Sequence, residues 1–272
     1  MKNLLYVVII CTLPLLVGCE PNNNPDKPSN NSNFSSKSFS VDEYGKKVVF
    51  SSGNLQYHPK NHLWRFAEKQ IDYIGDANLN LSPSYDGWVD LFAWGTGANP
   101  TSGTNGTFVD WGGNKIGDDP ASKWRTLSKD EWKYLLYERK NASFLLGVAQ
   151  VDGVNGLILL PDDWECPKDI IFRSGFHSDF AEFQTYTLAQ WSKIERVGAV
   201  FLPAAGWIDY NYDYDYSEYY GEYLLKKGYY WSTSRIYGVI FDSNYVIVSG
   251  TDPKGYYAEN GERGSVRLVR DI

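Results

Sequence analysis

Apolar and polar positions along this chain fall into short, irregular blocks. Residues 41–56 read as strand, turn, strand, with Lys47-Val48-Val49-Phe50-Ser51 as a short β run punctuated by Gly53. Further strands are predicted at 156–160, 199–202, 229–232, 239–241, 245–249 and 265–269, the first two closed by Pro161 and Pro203. Two helices carry start signals. Ser128 and Glu131 have capping-box spacing, and Trp132, Leu135, Leu136 and Arg139 follow at helical intervals to an end near Asn141. Thr187 and Gln190 form a second box, with Ala189, Trp191 and Ile194 behind it and Gly198 as the stop. Residues 64–73 mix aromatic and polar types. Residues 75–120 form a long irregular stretch in which Trp88, Trp94 and Trp111 could act as pins. Two helices among short strands and long loops predict an α+β domain. No regular repeat period appears.

The N-terminal run follows a different logic. Lys2 precedes residues 4–16, which are apolar apart from Tyr6, Cys11, Thr12 and Pro14, and Leu16-Val17-Gly18-Cys19 ends the run. That order matches a bacterial lipoprotein signal, in which the cysteine is acylated and the chain is cut just before it. The run is too short for a comfortable membrane span. An ordinary secretory signal with a chance cysteine and an uncleaved anchor are the alternatives. Residues 20–40 contain three prolines, six serines and little to bury, so they cannot offset their ordering entropy. The expected organisation is a signal peptide at 1–18, lipidation at Cys19, a disordered tether over 19–40 and one domain over 41–272. Its expected place is the cell envelope, lipid-anchored at the outer membrane, with the periplasmic or surface face left open.

Composition narrows the partners. Net charge is −7 with no basic cluster, which excludes nucleic acid as a partner. Of three cysteines, Cys11 leaves with the signal and Cys19 carries lipid, so Cys166 stands alone in the domain. One thiol builds neither a disulfide framework nor a cysteine zinc site, and Cys166 reads as a small buried hydrophobe rather than a nucleophile. Ten tryptophans, twenty-one tyrosines and twenty-five glycines predict loop-rich structure with aromatic-lined surfaces.

Several segments in order carry a resemblance: Gly53-Asn-Leu-Gln-Tyr57, Trp64-Arg-Phe-Ala-Glu68, Phe92-Ala-Trp-Gly95, Asp110-Trp-Gly112, Trp124-Arg-Thr-Leu-Ser128 with Glu131-Trp132, Phe201-Leu-Pro-Ala-Ala-Gly206, Gly228-Tyr-Tyr-Trp-Ser232 and Ser265-Val-Arg-Leu-Val269. This series resembles exported bacterial lipoproteins of the "major paralogous domain" group. They are similar, at a distance, to the formylglycine-generating enzyme (sulfatase-modifying factor) family. The resemblance spans roughly residues 45–270 and implies a C-type-lectin-like fold. The enzymes of that family are oxidases with a cysteine pair late in the domain, and this chain has no cysteine after Cys166. The resemblance therefore implies the scaffold without the oxidase site.

Other chemistries find little support. His58 and His62 flank Pro59 and lack a zincin glutamate, which reads as a surface loop. His177 near Asp179 has no nucleophile elbow beside it. Gly95-Thr-Gly97 and Gly112-Gly113 lack the strand and helix of a phosphate loop. The most unusual stretch runs from Trp207 through Tyr210, Tyr212, Tyr214 and Tyr216, which alternate with Asn211, Asp213 and Asp215. Extended, it sets four phenols on one face and acids on the other. Two readings stand: a solvated loop whose tyrosines lie against the domain, or a contact surface for a glycan or protein. Asp209, Asp213 and Asp215 are weak candidates for Ca²⁺, without the glycine and terminal glutamate of an EF-hand; no other cofactor is expected. The functional expectation is a lipid-anchored, non-catalytic binding domain. The alternatives are an enzyme of unrecognised type on the same scaffold and a structural or fimbria-associated envelope component.

Overall fold

The computed structural model describes residues 37–102, 106–208, 223–235, 237–250 and 262–272. Along the chain lie β1 (Phe39–Ser40), β2 (Lys47–Phe50), β3 (Leu55–His58), β4 (Leu63–Phe66), β5 (Leu91–Ala93), α1 (Lys129–Lys133), β6 (Leu146–Val151) and β7 (Val154–Leu159). Then come α2 (Phe180–Phe183), β8 (Thr185–Tyr186), α3 (Leu188–Arg196), β9 (Val200–Pro203), β10 (Gly228–Trp231), β11 (Tyr237–Phe241), β12 (Val246–Gly250), β13 (Arg263–Ser265) and β14 (Val269–Asp271). The class is α+β, as the pattern predicts.

Four sheets form. β1-β2-β14 is antiparallel and joins the two ends of the described chain, and β12-β11-β10-β13-β5 is the widest sheet. β8-β6-β7-β9 supports α3, and β3-β4 stands as a hairpin. The fold starts earlier than the expected boundary at 41: Phe39 is 1% exposed and pairs with Val48. The stretch 265–269 is also not one strand. Ser265 ends a strand of the widest sheet and Val269 begins one of the terminal sheet. Val266, Arg267 and Leu268 cross between them, all buried. Period-two alternation reads a continuous strand wherever both ends are extended, and it carries no information about which sheet each end joins.

Both capping boxes form in full, with each hydroxyl accepting from the third helical N–H and each acid or amide reaching back. The first helix changes to a π-turn over Tyr134–Glu138 and stops at Arg139, whose N–H reaches the Tyr134 carbonyl. Trp132, Leu135 and Leu136 face the principal core with Phe39, Val48, Leu202, Tyr230 and Phe241. Trp191 and Ile194 of α3 face a second core with Ile158, Phe172 and Phe201.

The long stretch after β4 is held by its own aromatics and by contacts too close for side chains. Trp111 is fully buried and Trp94 Nε1 donates to the Ser232 carbonyl at 3.1 Å. A Cβ on Gly112 would lie 2.0 Å from the Trp124 carbonyl oxygen, and one on Gly97 would lie 2.5 Å from two carbonyls. These glycines therefore serve backbone packing. Among the described residues no helix is long and apolar enough to cross a membrane.

Candidate functional site

Of the residues singled out in the aromatic stretch, Trp207 is described. Tyr210, Tyr212, Tyr214, Tyr216, Asp209, Asp213 and Asp215 lie outside the described residues, as does Cys19. Trp207 is half-buried and stacks on Tyr223, with centroids 4.1 Å apart and planes 10° from parallel. Lys227 Nζ lies 5.8 Å from the Trp207 centroid and 5.4 Å from that of Tyr223. Beside it, Ile208 and Arg263 exchange two backbone hydrogen bonds at 3.0 and 2.9 Å. Trp207 and Tyr223, on either side of the undescribed residues 209–222, thus form an aromatic pair with a cation beside it.

The motif Trp124-Arg-Thr-Leu-Ser128 with Glu131 proves to be a structural node. Arg125 grips both Glu131 oxygens at 2.8 Å and binds Asp271 at 2.6 Å, tying the first helix to β14. Burial pulls the Glu131 carboxyl up, but bonds from Arg125, Lys46 and the Ser128 N–H hold it below the ordinary glutamate value. Likewise, Asp162 of the Leu-Leu-Pro-Asp segment binds Arg139 at 3.1 Å and accepts from the Ser40 N–H and hydroxyl. Asp179 caps α2 through the Ala181 and Glu182 N–H groups, and His177 stacks on Phe183 beside it, so that pair begins a helix. His58, expected in a surface loop, is a mostly buried residue of β3, while His62 turns the hairpin at φ 52° and its Nδ1 meets the Tyr57 hydroxyl at 2.9 Å. Cys166 is half-buried against the second core, and its Sγ lies 3.4 Å from the Ile170 carbonyl.

The hairpin β3-β4 organises a cleft that sequence reasoning missed. Leu55, Tyr57, Trp64 and Phe66 point into the third core, which sends the alternate positions to the other face. There Gln56 and Arg65 stand directly opposite each other, and Arg65 Nε donates to Gln56 Oε1 at 2.8 Å. The guanidinium carbon lies over the Trp88 ring, 3.9 Å from its centroid. Residues 68–74 form a second wall and the β6-β7 turn a third, around a volume of about 620 Å³. That turn is Asp152-Gly153, both at positive φ (50° and 82°), the two-residue hairpin for which Asp-Gly is a strong sequence signal. Lys69, Asp72, Tyr73 and Asp152 line the opening. A smaller hollow of about 380 Å³ lies beside α2 and β8. Its polar groups bond each other: Gln184 Oε1 accepts from Arg173 N and the Tyr186 hydroxyl, and Arg173 Nη1 donates to Phe183 O.

The wall at 68–74 is anchored from beneath. Gln70 Oε1 accepts from Phe201 N at 2.8 Å and from Arg267 Nη2 at 2.5 Å, and its Nε2 donates to Glu195 and to the Ala199 carbonyl. Arg267, 1% exposed, also reaches Asn54, whose amide donates to the Tyr230 hydroxyl. Burial pushes the Arg267 guanidinium down to about 10 and the Tyr230 phenol up. Ile74 N donates to Asp90, a fully buried carboxyl that burial pushes up to about 6 against its bond from Asn78. The cleft is thus a preformed feature. Among the described residues no group of three or more His, Cys, Asp or Glu has metal-binding geometry. No family model, no curated protein and no solved structure matches the chain.

Proposed function

We propose that this chain is a lipid-anchored protein of the cell envelope whose C-type-lectin-like domain, of the formylglycine-generating-enzyme kind, binds a glycan or protein without transforming it. Cys19 carries the lipid and residues 19–40 supply most of the tether. The anchor sits at the outer membrane. Short strands, two box-capped helices and long tryptophan-pinned loops support the scaffold. The absence of any cysteine beyond Cys166 separates the chain from the oxidases it resembles.

The observation that carries the binding reading is the Trp207–Tyr223 stack under Lys227, at the root of the stretch containing Tyr210, Tyr212, Tyr214 and Tyr216. Rigid aromatics with polar tips bury contact area at low entropy cost. The test is a glycan array together with capture from envelope extract, comparing wild type with Tyr212→Ala/Tyr214→Ala. The reading expects a specific ligand whose retention drops in the double variant. Loss of all retention by wild type, or full retention by the variant, would overturn it. Incorporation of labelled palmitate, abolished by Cys19→Ala, checks the anchor separately.

A further inference from the structure

The geometry points to the cleft above the β3-β4 hairpin as a binding site for a carboxylate-bearing saccharide, with the Arg65 guanidinium as its carboxylate clamp. This shares with the proposed function only the premise that the domain binds its ligand; it concerns different residues.

Three features prepare Arg65. Its Nε is engaged by Gln56 Oε1 at 2.8 Å, which fixes the plane of the guanidinium. One face is covered by Trp88 at 3.9 Å, which holds the group against the wall. Its two Nη groups have no hydrogen-bond partner among the described residues, and the side chain lines the cavity. An arginine in a protein normally loses rotamer freedom when it grips an anion. Here that ordering is already done, and the remaining donors form the planar fork that matches a carboxylate bidentately.

The surroundings select the rest of the ligand. Three acids, Glu68, Asp72 and Asp152, line the same cleft, together with Lys69 and Tyr73. Asp72 Oδ2 is held by the Lys69 N–H at 2.9 Å, which fixes that carboxylate as an acceptor. A ligand with several negative charges would set some of them against these acids. A ligand with one carboxylate and many hydroxyl donors satisfies both the fork and the acids, and that is the chemistry of a uronic-acid sugar. The volume of about 620 Å³ lies within the range of about 300–1,000 Å³ usual for small-molecule sites.

The experiment uses the full chain in detergent and titrates it calorimetrically with three probes: a glucose oligosaccharide bearing a single terminal glucuronic acid (the uronate oligomer), the neutral glucose oligosaccharide of the same length, and an N-acetylated tripeptide with a free carboxyl terminus. Wild type is expected to bind the uronate oligomer at least about tenfold more tightly than the neutral one, and more tightly than the tripeptide. Arg65→Lys keeps the charge but loses the fork, and is expected to lose at least about tenfold in uronate affinity. Trp88→Leu should lose less. A melting curve for each variant checks folding, and a wild-type Arg65 Nε–H resonance shifted by the uronate alone places the contact without any substitution. Equal affinity for both sugars, no binding of either, preference for the tripeptide, or unchanged affinity in folded Arg65→Lys would each overturn the proposal. Array or extract binding that survives Arg65→Lys but not Tyr212→Ala/Tyr214→Ala would overturn this site while leaving the broader binding reading standing.

Discussion

Arg125 at the rim is bonded to Asp271, and Arg267 in the interior lies four residues before that aspartate, yet their surroundings differ sharply. Arg125 is flanked by two carboxylates, Glu131 and Asp271, and Asp271 is half exposed to water. Their pull keeps its guanidinium protonated far above any working pH, although burial opposes it. Arg267 is enclosed, and its direct partners are the amides of Gln70 and Asn54. Its Nε meets no acceptor among the described residues. Glu195 is hydrogen-bonded to Gln70 and acts on the guanidinium through space. The rim node closes the terminal sheet with cheap, water-screened charge. The interior node spends desolvation to bring β9, β10, the hairpin and the 68–74 wall to one point. Geometry at the cleft is thus tied to the more buried of the two.

The largest effect should come from removing the interior cation's solvation while leaving the cation. Gln70→Leu strips Arg267 Nη2 and the Phe201 N–H of their acceptor, and is expected to cost about 3–5 kcal/mol, as for a buried charge left without its partner. Arg267→Met removes the buried charge itself and leaves only Asn54 Oδ1 unpaired, so it should cost clearly less. Chemical denaturation of both variants and of the double variant tests this. If Arg267→Met proves as costly as Gln70→Leu, the interior node is an ordinary favourable pair and the contrast with the rim fails.

The next test uses pH, because the two regions should respond with opposite sign. Asp90, beside the interior node, keeps its proton in the fold up to about pH 6, whereas its ordinary value is 3.8. Between those values the folded state binds more protons, so stability falls as pH rises. The full difference is roughly 3 kcal/mol, at about 1.4 kcal/mol per unit. Glu131 at the rim is held below its ordinary value, so its contribution is present above about pH 4.5 and lost as pH falls further. Asp90→Asn should flatten the first slope. Glu131→Ala should cost about 1–2 kcal/mol at neutral pH through its cap and ion pairs, with less difference from wild type in acid. Denaturation midpoints from pH 3 to pH 7 in all three proteins decide it. A wild-type curve without a decline between pH 4 and 6 relative to Asp90→Asn would remove Asp90 from the interior account.

This contrast also explains which parts were legible in the sequence. Capping boxes at Ser128 and Thr187 depend on residues three apart, so local spacing finds them, and both are present. The strands at 228–231 and 246–250 follow short apolar runs closely. Arg267 could not be read. It sits between Val266 and Leu268 in what looks like a single amphipathic strand, and only tertiary structure shows the chain crossing between sheets there. The cleft was hidden for the same reason, since Arg65, Asp72 and Asp152 come from three separate segments. One signal was available: Asp152-Gly153 between apolar runs marks a tight hairpin, and through it the strand Leu146–Val151. The tyrosine alternation was plain as a pattern, and its residues lie outside the described ones.

The smallest predicted effect is the most direct test of the rim. Asp271 contacts Arg125 through both oxygens, at 2.6 to 3.2 Å, yet its side chain is 52% exposed. Water and salt screen such a pair, and Arg125 keeps its bidentate grip on Glu131 when Asp271 is gone. Asp271→Asn should therefore change stability by no more than about 0.5 kcal/mol, and that difference should shrink further as salt is raised. Gln70→Leu should be nearly insensitive to salt, because no screening ion reaches an enclosed guanidinium. Parallel denaturation at low and high ionic strength compares the two. A salt-independent loss above about 2 kcal/mol in Asp271→Asn would mean that the rim pair is desolvated like the interior one, and that the terminal sheet depends on it.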